Sequence, residues 1–483
     1  MMRISRKKAY ALLTLIGICL INLFLTLHYV DGTRVYTADD LRVISIVAVL
    51  ELGAASYAWV KMSKEICSPF FIMFIAASLF CVGQTIGWAL GLNMGDLDLL
   101  IYIPYIDKHY LGDSLLYSLN AMILFLFGGV CAFGTSKRFV RTMPTAQNSL
   151  DFSSVKVLST FILIVSIPCV IINLWNILPA VFRGGYWEFY SEIDSYSKTG
   201  QFIPLLAGWF PIALLMKYAI HIDRNPVISR LSLVFLFAYI AVNLYIGGRS
   251  GAVMMLLAFI ITKQYLGKPI KKKMILPAAA GGYLFVGILN TIADIRLSSN
   301  RSMADIFSSL TMSISSTLGD FIGELGWSMS SLAWTMELTG TSFRWGTSYW
   351  YAFTAIIPNL GFWTVHPATL YSNLGEWMQE TLGRSSGLGY TFVAETYANF
   401  SWFGLALMFL FGFIISRLLT PINRQNARYN FKYTMVIIMI FTAVLKPFIR
   451  SSFSAIMRPT VFTVLLLGAA ITIVGQVLGK KRG

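Results

Sequence analysis

Runs of roughly 16 to 24 largely uncharged residues alternate with short polar segments along almost the whole chain. Each is about the length a helix needs to cross a hydrocarbon core of roughly 30 Å. Twelve such runs, at 9–29, 42–60, 69–92, 114–134, 156–178, 202–220, 231–246, 251–267, 274–292, 397–416, 433–448 and 460–478, predict transmembrane helices. Helices are the expected form because lipid satisfies no free backbone amide. Only Gly247, Gly248, Arg249 and Ser250 separate the seventh run from the eighth, a turn that glycine makes without steric cost. The first run follows Arg3, Arg6, Lys7 and Lys8, and with no small-residue cleavage site after it the expectation is an uncleaved first helix. The pattern predicts an all-α, polytopic membrane protein of about 12 spans. Helices 1–9 occupy residues 1–292, a large external loop 293–396, and helices 10–12 residues 397–483.

Composition agrees with this picture. Charged residues make up 12% of the chain and hydrophobic ones 56%, against roughly 25% charged in soluble domains. The net charge of +16 would suggest nucleic acid in a soluble protein, but here the basic residues are first sorted by membrane side. With the amino terminus in the cytoplasm, 25 of the 38 Lys and Arg fall in or beside cytoplasmic segments, as the positive-inside rule requires. Lys271 to Lys273, the loop with Lys137, Arg138 and Arg141, and the terminal Lys480, Lys481 and Arg482 are the clearest marks. Both termini are then cytoplasmic, and no nucleic-acid partner is expected. The five cysteines show no metal-site or disulfide spacing and read as small apolar fillers.

Residue type divides the two sides more sharply than number does. The cytoplasmic set holds 15 Lys and 10 Arg, the external set 3 Lys and 10 Arg. The planar fork of arginine binds phosphate or carboxylate in two places, so an outer surface that keeps Arg and sheds Lys points to an anionic ligand. The alternative is pairing with acids, because eighteen of the 22 Asp and Glu are external by the same threading.

The long non-membrane segments, 30–41, 93–113, 179–201 and above all 293–396, are external in this threading, so function is sought there. In the last of them Met303, Phe307, Leu310, Ile314, Leu318, Phe321 and Leu325 recur every three or four residues. This amphipathic stripe predicts either an interfacial helix on the outer leaflet or a helix packed on the bundle. Further on, Trp345, Trp350, Trp363, Trp377 and Tyr390 mix with Asn359, Asn373, Gln379 and acids. That combination suits sugar rings, and it is also what membrane interfaces commonly display.

Three segments together resemble the O-antigen polymerase (Wzy-type) family, the oligosaccharide repeat-unit polymerases. The first is Arg183-Gly184-Gly185-Tyr186 and the stretch leading to Ile203-Pro204-Leu205; the second is Gly247-Gly248-Arg249-Ser250-Gly251. The third is Ser385-Ser386-Gly387-Leu388-Gly389-Tyr390 leading into Ala394-Glu395-Thr396-Tyr397-Ala398-Asn399-Phe400, with Arg450 and Arg458 before the last span. The resemblance covers roughly residues 180–460. It implies a GT-C-like glycosyltransferase on the outer face of a bacterial cytoplasmic (inner) membrane, working without metal, nucleotide sugar or other cofactor. Its substrate would be a polyprenyl-pyrophosphate-linked oligosaccharide presented in membrane lipid, with a chain-length regulator protein as a further candidate partner.

Such a reaction needs a cationic clamp for the leaving pyrophosphate and a group that orients or deprotonates the attacking hydroxyl. For the clamp the candidates are Arg249, on its glycine platform, then Arg450 and Arg458, with Lys446 and Pro447 expected to break the helix before them. Arg296 and Arg301 are further candidates that could instead pair with Asp294 or Asp305. For the hydroxyl, Glu395 comes first, followed by Glu380, Glu376 and His366; Tyr186, Tyr390, Tyr397 and Asn399 are the candidates to meet sugar. The rival readings are a lipid-linked oligosaccharide flippase or transporter, which would favour mid-bilayer charges and duplicated halves, and an O-antigen ligase of the same GT-C type.

Overall fold

A computed structural model describes residues 5–30, 34–90, 108–134, 145–196, 202–246, 249–269, 323, 326–359, 361–384, 389–423 and 426–480. The described residues are helical with no strand, and ten of their helices are long and apolar enough to cross a membrane. Eight helices precede the long loop: α1 (Arg6–Tyr29), α2 (Ala38–Ser63), α3 (Pro69–Ala89), α4 (Lys108–Ala132), α5 (Thr145–Tyr196), α6 (Phe202–His221), α7 (Pro226–Ile246) and α8 (Arg249–Leu266). Short helices α9 (Ser330–Thr339), α10 (Thr347–Ala352), α11 (Pro367–Ser372) and α12 (Leu374–Thr381) follow, then the long α13 (Phe392–Leu419), α14 (Phe431–Arg450) and α15 (Ser454–Gly479). Of the twelve predicted spans, the eighth is α8, whose apolar part Ser250–Leu266 is shorter than the ten. The ninth, at 274–292, and the amphipathic stripe from Met303 to Leu325 lie outside the described residues, Gly323 excepted.

The helices cluster into two compact units. One contains α1 to α4, α9 to α13 and the segment Pro447–Met457; the other contains α5 to α8, the 422–446 segment and the chain from Arg458 onward. In the first unit α4 and α13 make the closest crossing. A Cβ on Gly128 would meet Phe409 O at 2.0 Å, and one on Gly412 would meet Phe125 O at 1.8 Å. Glycine therefore lets the two backbones touch, which is how helices associate where lipid supplies no hydrophobic driving force. In the second unit Trp209 Nε1 donates to Thr463 Oγ1 at 3.1 Å, and Arg428 pairs with Asp223 at 2.7 Å.

Local chemistry sets several helix ends. Thr37 and Asp40 form a capping box at the start of α2, with Arg34 bonded to Asp40 at 3.0 Å. Inside α3, Val82 leaves helical geometry, and Thr85 Oγ1 donates to Val82 O at 2.6 Å. The stretch 179–201, expected to be a loop, is helical through Tyr196 as the end of the 52-residue α5. At about 1.5 Å per residue that helix is far longer than a bilayer core. The expected break at Pro447 is also absent, because α14 continues to Arg450. A π-helical turn at Ile440–Val444 comes just before it; the wider turn makes room for a proline ring that lacks an N–H. The chain breaks instead at Ser451 and Ser452.

Candidate functional site

The span predicted at 397–416 begins earlier, at Phe392, because Thr391 caps it by accepting from Ala394 N at 3.2 Å. Glu395 thus lies in the first turn of α13, only 1% exposed. Its Oε1 accepts from Ser348 Oγ of α10 at 2.7 Å, and its Oε2 accepts from the Phe453 backbone N–H at 2.6 Å. Asn399, one turn further on, donates through Nδ2 to Ser348 Oγ and to Glu395 O, both at 2.8 Å, and accepts from Gly346 N at 3.0 Å. One buried polar network therefore joins α13, α10 and the turn that follows α14.

The same network holds the loop before α10. Arg344 N donates to Ala398 O and Trp345 N to Asn399 O, both at 3.0 Å. Trp345 sits at φ 50 and Gly346 at φ 85. A non-glycine residue in that region costs on the order of 1–3 kcal/mol and persists only where its surroundings enforce it; here the enforcing partner is Asn399. The outcome is the placement of the half-buried Arg344, whose guanidinium lies 4.6 Å from the Trp377 ring centroid. Burial lowers the Arg344 pKa, while Tyr390 and Glu395 oppose that shift.

Arg450 ends α14 three residues before the amide that Glu395 holds. Its guanidinium stands 5.6 Å from the Phe80 ring centroid. The Cβ position of Gly389 lies 3.4 Å from Arg450 Nε, in ordinary contact, and Gly389 is at φ +71, a backbone conformation that a side chain disfavours. Arg450 and Arg344 thus flank the Gly389-Tyr390 segment, and among the described residues neither guanidinium has a hydrogen-bond or ion-pair partner. Arginine in a half-buried setting with no carboxylate in direct contact among the described residues, Glu395 acting on Arg344 only at longer range, is suited to an anion brought from outside.

The other predicted residues divide clearly. Tyr390 is buried, with its hydroxyl accepting from Thr335 Oγ1 at 3.4 Å and its pKa raised by burial. Tyr397 is buried edge-on to Tyr117, with ring centroids 5.2 Å apart. These two and Asn399 shape the site from within, whereas Trp345, Trp350 and Phe362 offer open aromatic faces. His366 caps α11: Nδ1 accepts from Ala368 N at 3.1 Å, which leaves Nε2–H to donate to Ile357 O at 2.9 Å. Glu376 is exposed and accepts from Asn373 Nδ2 at 2.6 Å; Glu380 is exposed on the same helix, α12. Arg458 belongs to the second unit and is half-buried. Arg249 opens α8 and Tyr186 lies within α5, their side chains being outside the described set, as are Arg296, Arg301 and Ser385 to Leu388. Arg344 was not among the sequence candidates; the available signal was its place in the lysine-poor external set beside Trp345-Gly346.

An all-helical, multi-span membrane protein with two half-buried arginines, in no ion pair among the described residues, beside a buried polar network is the class these features define. The chain belongs to the O-antigen polysaccharide polymerase Wzy family, whose model matches residues 13–482. Its role is therefore that of a membrane-embedded polymerase in O-antigen polysaccharide biosynthesis. No curated protein and no solved structure matches it.

Proposed function

We propose that the chain joins polyprenyl-pyrophosphate-linked oligosaccharide repeat units at the outer face of the bacterial cytoplasmic membrane. The bond between the anomeric carbon and the diphosphate oxygen breaks, and a new bond forms from that carbon to a hydroxyl oxygen of the next lipid-linked unit. The hydroxyl proton leaves to water, and polyprenyl pyrophosphate is released. No nucleotide sugar or metal is required in this reading, because the diphosphate ester is itself the leaving group and guanidinium groups meet its developing charge. The excess of Lys and Arg in the segments threaded to the cytoplasm supports the orientation.

The observation that carries the proposal is the pair Arg344 and Arg450, half-buried, near Tyr390 and Gly389 respectively and in no ion pair among the described residues. Glu395 serves as a positioning residue that fixes the turn behind Arg450. Arg249, Arg458, Arg296 and Arg301 remain candidates for binding pyrophosphate on sequence grounds.

The test is the surface-glycan ladder of a deletion strain complemented with Arg344→Ala, Arg450→Ala and Arg450→Lys. Removing a preorganised donor to a developing anion costs roughly 10²–10³ in rate, so each alanine variant should leave mainly single repeats. Lysine keeps the charge without the fork and should restore chain length only partly. Wild-type ladders from normally inserted Arg344→Ala and Arg450→Ala proteins would refute the proposal.

A further inference from the structure

The turn Trp327–Met329 lies across α3 close to its kink at Val82. A Cβ on Gly326 would meet the Gln84 backbone nitrogen at 2.1 Å and Gly83 C at 2.6 Å, so the two segments meet backbone to backbone. Gln84 is 1% exposed, and its Nε2 donates to Gly323 O at 3.0 Å. That bond fixes which way the amide points. Its Oε1 is an enclosed acceptor with no hydrogen-bond partner among the described residues.

Ser328, on the same turn, is also 1% exposed, with its Oγ equally without a partner among the described residues. That hydroxyl and Arg450 Nε approach one common point, the Cβ position of Gly389, at 3.6 and 3.4 Å. Phe80, on the other side of the α3 kink, underlies the Arg450 guanidinium. Native structures rarely leave buried polar atoms unmatched. Here the 326–329 turn packs its backbone against that of Gln84 on α3 and sets its Ser328 hydroxyl near the Arg450 guanidinium, which itself lies over Phe80 of α3.

The three groups ask for different things. Arg450 only donates, Gln84 Oε1 only accepts, and the Ser328 hydroxyl does either. A bare diphosphate satisfies the arginine and the serine, yet brings no donor for the amide oxygen, and a polyprenyl tail satisfies none of them. The sugar attached to a diphosphate offers hydroxyl donors within a few ångströms of the anionic oxygens. We infer that Gln84 and Ser328 form a recognition site for the diphosphate-proximal sugar of the lipid-linked oligosaccharide, with Gln84 Oε1 accepting one of its O–H or N–H groups. This rests on the reading that Arg450 holds the diphosphate.

A site built to hydrogen-bond a substrate hydroxyl discriminates strongly against a ligand lacking it, because its own buried group is then left unpaired. The experiment measures binding of two probes to the full-length protein in nanodiscs: polyprenyl diphosphate, and the lipid-linked repeat unit isolated from cells lacking this chain. Gln84→Leu should weaken the sugar-bearing probe about ten-fold or more and leave polyprenyl diphosphate unchanged. Arg450→Ala should weaken both. Should Gln84→Leu fail to accumulate, Gln84→Met carries the test, since it keeps the length and nearly the volume of the side chain and removes the acceptor; the same preferential loss is expected. Unchanged binding of the repeat unit to the Gln84 variants, or equal loss of both probes, would overturn the inference while leaving the arginine reading intact. Unchanged binding of both probes to Arg450→Ala would remove the diphosphate reading and this inference with it.

Discussion

Replacing Glu395 separates two roles for the most buried carboxylate at the site. Both of its oxygens are engaged, by the Ser348 hydroxyl at 2.7 Å and the Phe453 amide at 2.6 Å. Glu395→Ala leaves those two donors buried without acceptors, at about 1–3 kcal/mol each. The total, about 2–6 kcal/mol, is a large share of an ordinary folding stability of roughly 5–15 kcal/mol. Glu395→Gln is milder: its carbonyl oxygen still accepts from Phe453 N–H and its amide can donate to Ser348 Oγ. Only the Ser348 hydroxyl proton then lacks its acceptor, a cost of about 1–3 kcal/mol. A positioning role therefore predicts that the alanine protein accumulates poorly and polymerises little. The glutamine protein should unfold a few degrees lower and keep kcat within about ten-fold, with the pH profile of the wild type. A general base predicts otherwise, since losing one costs roughly 10²–10⁴ in rate and removes the acidic limb of that profile. The assays are thermal unfolding in detergent and in vitro polymerisation over a pH series. A well-folded Glu395→Gln protein that fails to polymerise would refute the positioning role and put the carboxylate into the chemistry.

Three further outcomes follow from other parts of the molecule. Gly412→Ala places a methyl 1.8 Å from the Phe125 carbonyl, and backbone cannot yield as a side-chain tip does; a loss of about 1–3 kcal/mol is expected, and a wild-type unfolding temperature would count against the close α4–α13 crossing. His366→Ala removes a cap of α11 and should cost about 0.5–2 kcal/mol while leaving the glycan ladder intact; a folded variant without polymer would return His366 to the chemistry. Arg249→Lys should shorten chains because it keeps charge and loses the fork, and wild-type lengths from both Arg249→Lys and Arg249→Ala would take that residue out of the mechanism.

Hydropathy made the lipid-facing architecture legible for a direct physical reason: a segment in hydrocarbon must hide its own backbone, so an apolar run of the right length is itself the structure. Positions of α1 to α4 were accordingly close to expectation. The same logic is blind to a helix that leaves the bilayer, which is why α5 continues through the polar 179–196 stretch unannounced. It is equally blind to a π turn, so Pro447 looked like a break when the widened turn before it preserves the helix. His366 shows the complementary limit: nothing in its neighbourhood along the chain announces that one ring nitrogen caps α11 and the other meets the Ile357 carbonyl.

The most instructive departure is at α13. Its first turns carry Glu395, Thr396 and Asn399, which lower the local hydropathy and moved the predicted boundary to 397, yet all three are buried. They are polar inside a span because each is matched by a group far away in sequence: Ser348, Tyr117 or Gly346. No local window contains those partners, so neither the boundary nor the placement of Arg344, whose backbone N–H is held by the carbonyl of Ala398 while that of Trp345 is held by Asn399, could be read from the chain alone. Sequence rules are expected to fail where function imposes its own demands. Here the apolar pattern breaks off early where a buried polar network holds the segment that carries Arg344 and the turn behind Arg450, and that coincidence is the reason for seeking the site there rather than at any single motif.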